Sequence, residues 1–201
     1  MTNPDDGNPT PLSRLTGKGI YPVEYARWLL SPLRRLISPP TKIVKRLGLK
    51  SSDRVLEIGC GPGYFSPAVA RAVPQGALTL FDTQDGMLAI AERRLKTRGI
   101  SNFERRQGDA KALPFADGIF DVAFMVTVLG EVGDPRSALR EAARVLKPGG
   151  RLSITEMIGD PDFVSMEQLE EMARGAGLTL EQRYGPRFFY TCNFTKRASK
   201  A

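Results

Sequence analysis

The run Gly59-Cys60-Gly61-Pro62-Gly63 follows the apolar stretch Val55-Leu56-Glu57-Ile58 and leads into a helical pattern from Tyr64 to Val73. Glycines at a strand-to-helix turn let a ligand approach the backbone with no side chain in the way. A plain tight connection reads the same way, so neighbouring residues must separate the alternatives. A dinucleotide fingerprint, GxGxxG, needs glycine at position 64, where this chain has Tyr64. Nicotinamide dinucleotides are therefore disfavoured. Glu57, just ahead of the turn, suits instead a ligand without phosphates that presents an ammonium and a sulfonium. It can equally accept hydrogen bonds from the turn's own N–H groups, and the two roles are compatible.

Two further carboxylates follow at the ends of expected strands. Asp82 lies nineteen residues after Gly63, directly after Leu78-Thr79-Leu80-Phe81. There a carboxylate can accept from both hydroxyls of a ribose. Asp109, in Gly108-Asp109-Ala110, follows the third expected strand and can accept from an adenine 6-amino group. Each alone reads more simply as a cap or a solvated loop residue. Together, Glu57, Asp82 and Asp109 describe a site for adenosine with an aminoacyl tail, which is S-adenosylmethionine (SAM).

The elements that must position these residues alternate between apolar runs and helical stripes, which implies βαβ units, a parallel sheet and an α/β fold. Phe120 to Val126 is nearly continuous in apolar character, as in a buried central strand. Asp134-Pro135 starts a helix whose face is Leu139, Ala142, Ala143 and Leu146, ending at Pro148-Gly149-Gly150. Leu152 to Thr155 is the next strand. Ser165 and Gln168 form a capping box ahead of Leu169, Met172, Ala173 and Ala176. Leu178-Thr179-Leu180 and Phe188 to Phe194, joined through Gly185-Pro186, form a closing antiparallel hairpin. Residues 1–20 read as a flexible arm, 21–50 as an N-terminal helical segment divided at Pro39-Pro40, and 51–201 as the SAM-binding domain.

The segments VLEIGCGPGYFS, LFDTQDGMLAIAERRL, GDAKALPFADGIFDVAF and LREAARVLKPGGRLSITE resemble the class I SAM-dependent methyltransferases, especially the group similar to the ubiquinone and menaquinone biosynthesis enzymes. The resemblance covers about residues 40–196. It implies a Rossmann-like, doubly wound, seven-stranded sheet, mostly parallel with an antiparallel last strand. It places cofactor roles on Glu57, Gly59, Gly61, Gly63, Asp82 and Asp109, with Cys60, Thr83, Met87, Ala110 and Thr127 as neighbours. Some relatives carry histidine before the residue matching Glu131, whereas this chain has Gly130.

Methyl transfer from a sulfonium gains rate from in-line alignment and exclusion of water, and needs no protein nucleophile. The chain has no histidine, which removes the commonest general base. Glu131, Asp134, Tyr21 and Tyr25 are the remaining candidates, with Glu131 and Tyr25 preferred. The apolar, aromatic-containing stretch from Tyr25 to Leu30 reads as a lid that favours a small or lipophilic acceptor.

The net charge is +7 and is concentrated in residues 1–50. Such a segment can attract RNA or an anionic membrane surface, or simply be a solvated basic face. Against nucleic-acid methylation, Val126-Thr127-Val128-Leu129 replaces the Asp/Asn-Pro-Pro-aromatic run of exocyclic-amino enzymes. Neither Cys60 nor Cys192 sits in the Pro-Cys setting of cytosine C5 chemistry. RNA methylation and SAM binding without catalysis stay as alternatives. Two isolated cysteines imply reduced thiols and no metal site, and the absence of a long apolar span or leader pattern implies a cytoplasmic protein.

Overall fold

In this computed structural model the described residues are Val23, 26–30 and 38–197. The expected flexible arm, Tyr21 and Tyr25 lie outside them. Two N-terminal helices, α1 (Ala26–Leu29) and α2 (Pro40–Leu47), precede an alternating core. That core runs β1 (Arg54–Ile58), α3 (Ser66–Ala72), β2 (Ala77–Asp82), α4 (Asp85–Lys96), β3 (Phe103–Gln107) and β4 (Phe120–Val126). It continues through α5 (Pro135–Val145), β5 (Leu146–Met157), α6 (Met166–Gly175), β6 (Leu178–Tyr184) and β7 (Phe189–Lys196).

The seven strands form one sheet in the order β3-β2-β1-β4-β5-β7-β6. Pairings among β1 to β5 are parallel, and β7 runs antiparallel to both β5 and β6. β1 and β4 are buried on both faces because helices cover each side. Val55, Val122 and Phe124 pack with Val69, Ala70, Leu88 and Ala91 of α3 and α4. Leu56, Ala123 and Met125 pack with Leu139, Ala142, Leu169 and Ala173 of α5 and α6 on the other face. The strand order reverses between β1 and β4, which opens a crevice at their C-terminal ends.

The α5 and α6 starts follow their sequence signals: Ser137 N–H donates to Asp134 Oδ1, and Ser165 with Gln168 makes a reciprocal capping box. Other boundaries differ. α5 stops at Val145, and Leu146 already pairs with Phe120, so β5 begins before Pro148 and passes the prolyl-glycyl stretch through a register shift. Proline pushes its preceding residue to extended backbone, and the sheet offers that backbone ladder bonds. β6 extends through the polar residues Glu181 to Tyr184, which an edge strand tolerates because one side faces water. Pro39-Pro40 does not merely divide two helices; Pro40 opens α2, where a missing N–H costs nothing.

Part of the N-terminal basic segment is internal. Arg46 is buried, donates to Thr191 Oγ1 at 2.8 Å, and lies over the Tyr184 and Phe189 rings at 5.4 and 5.9 Å. Burial lowers its pKa. This cation docks α2 onto β6 and β7 and is not available to an external anion. Among the described residues no helix is long and apolar enough to cross a membrane, and Cys60 and Cys192 are both free and buried.

The segment leading from Asp109 to β4 is held by one side chain. Arg144 Nη1 donates to the Phe115 carbonyl and Asp117, and Nη2 to the Leu113 carbonyl and Glu141. Arg144→Ala takes the guanidinium from the Phe115 carbonyl and from the Asp117 and Glu141 carboxylates, with an expected loss of about 1–3 kcal/mol in urea denaturation. An unchanged midpoint would show that water replaces the guanidinium without cost.

Candidate functional site

The turn after β1 is specified by backbone contacts. Gly59 and Cys60 N–H both donate to the Phe81 carbonyl at 2.8 and 3.1 Å, and Gly63 N–H donates to the Cys60 carbonyl at 3.0 Å. Gly61 N–H donates to Asp82 Oδ2 at 2.8 Å. Gly59, Gly61 and Gly63 have φ of 70°, 51° and 74°, a region costly for residues bearing a Cβ. Two of them are also sterically closed. A Cβ at Gly59 would stand 2.5 Å from Val128 Cγ2, and one at Gly63 would stand 2.9 Å from the Ala91 Cβ. Gly61 is different: only Leu29 Cδ1, 4.0 Å away, approaches its Cβ position. The turn therefore leaves a side-chain-free surface at Gly61, under α1.

The carboxylate that holds the turn is Asp82, not Glu57. Asp82 Oδ1 also accepts from Gln84 N–H at 3.0 Å. Burial raises its pKa, opposed by the N–H groups of Gln84, Gly61 and Thr83. A carboxylate offers about four acceptor sites, so capacity remains for a ligand hydroxyl.

Glu57 is 2% exposed, and its Oε2 has no hydrogen-bond partner. Burial pushes its pKa up to about 8, against a lowering influence from the nearby Ser66 hydroxyl and with a further push from Asp82. Ser66 Oγ is close enough to act electrostatically, yet neither it nor Glu57 Oε2 completes a well-formed hydrogen bond. Cys60 is buried beside both acids, and burial first, then Glu57 and Asp82, raise its thiol pKa.

The other sequence-derived residues fall into three settings. Thr83 is exposed, and its carbonyl accepts from Gln107 Nε2 at 2.9 Å, joining the ends of β2 and β3. Met87 is 2% exposed on the first turn of α4, and Ala110 is 6% exposed. Asp109 is half-exposed, accepts from Lys111 N–H and pairs with Lys111 Nζ at 3.3 Å. Thr127 ends β4 with φ of 52°, the sole non-glycine at positive φ among the described residues. For a β-branched residue that conformation is an outlier stored at a site end. Glu131 closes the 3-10 turn Leu129–Glu131 at the same edge. Asp134 is occupied as a helix cap and exposed, which removes it as a base candidate.

Leu29, part of the expected lid stretch, sits over Gly61, whereas sequence reasoning missed Val128, whose side chain meets Gly59. It also missed Glu156, buried at the end of β5. A signal was present: Leu152, Ile154 and Glu156 share one face by period two, and a glutamate in that series is anomalous. Gly130 has a physical reason as well. Its Cβ position is taken by the Asp162 carbonyl, so a histidine cannot stand there without moving the segment after β5.

Residues 56–154 match the family model for a methyltransferase domain. The crystal structure of a SAM-dependent methyltransferase from Aquifex aeolicus superposes with a TM-score of 0.82 at 22% identity, covering 88% of this chain and 100% of that one. Residues 56–154 thus carry a methyltransferase domain, on the fold of a SAM-dependent methyltransferase. A ubiquinone/menaquinone biosynthesis C-methyltransferase, UbiE, from Pseudomonas putida is 42% identical over 111 residues, 54% of this chain and 43% of that protein. An uncharacterized 37.1 kDa protein in transposon TN4556 of Streptomyces fradiae is 40% identical over 121 residues, 60% of this chain and 33% of that protein. The chain thus spans less than half the length of these curated relatives. The cyclase SpnF shares the fold with a TM-score of 0.71 at 24% identity, covering 80% of each chain.

The family's cofactor, SAM, fits on one feature above all. The buried Oε2 of Glu57, without a hydrogen-bond partner, lies in the strand that feeds the open glycine turn, and a cationic ammonium is the kind of group that would satisfy it. A carboxyl whose folded pKa is raised from 4.5 to about 8 favours folding fully below pH 4.5, and that contribution is lost as pH rises toward 8. One such group adds up to ~1.4 kcal/mol per pH unit to the decline of stability in that window. Glu57→Gln should flatten the fall of the urea midpoint between pH 5 and 8 in the ligand-free protein; an unaltered slope would contradict the burial of an ionisable proton there.

Proposed function

We propose that this chain transfers the methyl group of SAM to a small, lipophilic acceptor. The observation that carries the cofactor half is the pairing of an open Gly61 backbone with two buried acids, Glu57 and Asp82, at the β1 and β2 ends. In this reading Glu57 faces the aminoacyl ammonium, Asp82 uses its remaining acceptor capacity for a ribose hydroxyl, and Asp109 accepts from the adenine amino group. Gly59, Cys60, Gly61 and Gly63 form the floor, while Thr83, Met87, Ala110 and Thr127 border the nucleoside.

SAM supplies an already activated methyl group; the chain's own work is to orient the acceptor and exclude water. Leu29 above Gly61 serves the second purpose. Glu131, at the edge where an acceptor enters, is the described side chain best placed to take a proton, and Tyr25 is the candidate from the lid segment.

The lipophilic half rests on the same edge of the sheet. Ile158 and Phe188 are 61% and 58% exposed, and Ile158 N–H donates to the Phe188 carbonyl at 2.7 Å. Both residues therefore stand together just past the C-terminal end of β5. The name of the UbiE relative, a quinone-biosynthesis C-methyltransferase, agrees with an apolar acceptor. Arg46, enclosed between α2 and β6–β7, withdraws one cation from the basic segment that would favour RNA.

Two measurements test the reading. Asp82→Ala removes a charged acceptor and should weaken SAM binding at least about 10-fold in calorimetry; equal affinity with an intact fold would reject the ribose role. Incubation of the chain with methyl-labelled SAM and cell extract should place label in the organic-solvent-soluble fraction. Label in RNA would establish the nucleic-acid reading, and SAM binding without any transfer would establish a binding protein.

A further inference from the structure

Glu156 is the one acid of β5 on its core face, 1% exposed, in series with Leu152 and Ile154. A carboxyl there is costly unless it holds something. The backbone N–H groups of Leu129 and Val164 both act on it, while its Oε1 has no hydrogen-bond partner. Leu129 opens the 3-10 turn after β4, and Val164 closes the segment after β5. These two segments touch directly, because the Asp162 carbonyl occupies the place of a Cβ on Gly130.

The neighbouring residues link this contact to the glycine turn. Val128, immediately before Leu129, meets Gly59 at a distance that leaves no room for a Cβ. Thr127 is held in its positive-φ conformation by its N–H donating to the Thr155 carbonyl at 2.8 Å, one residue before Glu156. A strained residue of this kind persists only when its surroundings over-determine it. Thr155 supplies that restraint through its carbonyl, and the next residue, Glu156, meets the Leu129 N–H two residues after Thr127.

We propose that Glu156 is a positioning residue that ties the turn after β4 to the segment after β5 and so seats Val128 against the cofactor turn. The proposal rests on reading Gly59 to Gly63 as the SAM seat. Glu156 touches neither cofactor nor acceptor; it acts through Leu129 and Val128.

The tie is sensitive to pH. The ionisable groups that face Glu156 are Glu131 from the turn after β4, Asp160 from the segment after β5, and Tyr190 from β7, whose hydroxyl donates to the Val164 carbonyl at 2.7 Å. Burial first, then Asp160 and Glu131, push the Glu156 pKa up to about 8, with the Val164 and Leu129 N–H groups opposing. A group raised in the closed arrangement favours that arrangement below its ordinary pKa and ceases to do so as pH rises through about 8. The closed tie is therefore the neutral-carboxyl state, and alkaline conditions loosen it.

Glu156→Gln keeps the shape and a carbonyl acceptor but cannot ionise. Glu156→Ala removes the tie. The experiment measures S-adenosylhomocysteine affinity by calorimetry at pH 6.5 and 9 in the full chain and both variants, with amide hydrogen exchange at Leu129 and Val164. The wild type should lose several-fold more affinity between the two pH values than Glu156→Gln. Glu57 and the ligand amine titrate alike in both proteins, so the difference isolates Glu156. Glu156→Ala should bind several-fold more weakly at pH 6.5 and lose protection at Leu129. The same pH dependence in wild type and Glu156→Gln would overturn the proposal, and this comparison holds even if the alanine variant fails to fold. A wild type that binds no ligand at either pH would reject the SAM seat and the proposal with it, whereas normal binding with matching pH profiles would reject the proposal alone.

Discussion

Three glycines at positive φ, two of them closed in by Val128 and Ala91, are the constraint on which the site depends. The turn from Gly59 to Gly63 donates its N–H groups to Phe81, Asp82 and Cys60, meets Val128 at one end and Ala91 at the other, and leaves free space at Gly61. This is possible because β1 lies between β2 and β4 with all three strands parallel, so their C-terminal ends arrive together. The helices on each face then bury β1 and β4 and keep those ends in register. Removing the small residues would push β1 away from its neighbours before any ligand was involved.

The same edge concentrates buried carboxyl groups. Glu57 and Glu156 lie on opposite faces of the sheet, both nearly inaccessible, and burial raises both to about 8. Their uses differ because their surroundings differ. Glu57 lies beside Ser66 and Asp82 at an open turn and has an orphaned oxygen that a cation can satisfy. Glu156 is enclosed between two segments whose N–H groups converge on it. Asp82, by contrast, is engaged by backbone donors and still has an acceptor site to spare.

The fold specifies where a ligand sits more strongly than what is done to it. The Aquifex aeolicus methyltransferase and the cyclase SpnF both share this architecture with TM-scores above 0.7, 0.82 and 0.71 respectively. Reaction type therefore has to be argued from the edge residues beyond the glycine turn. In this chain those are the strained Thr127, the Leu129–Glu131 turn and the exposed pair Ile158 and Phe188.

Much of this was legible in the amino-acid sequence alone. The alternation of strand and helix, the capping pairs at Asp134 and Ser165, and the order Glu57, Asp82, Asp109 along successive strand ends are local patterns, set by backbone geometry and spacing over a few residues. The start of β5 at Leu146, the docking of Arg46 under α2, and the tying of Gly61 by Asp82 were not legible, because each is decided by a partner far away in the chain. Glu156 shows the division most plainly. Its place in the Leu152 and Ile154 series marks it as a glutamate facing the core, but only the tertiary structure brings the N–H groups of Leu129 and Val164 to it and Val128 onto Gly59. Local spacing determines which face a side chain takes, whereas the packing of separate segments determines what that side chain meets.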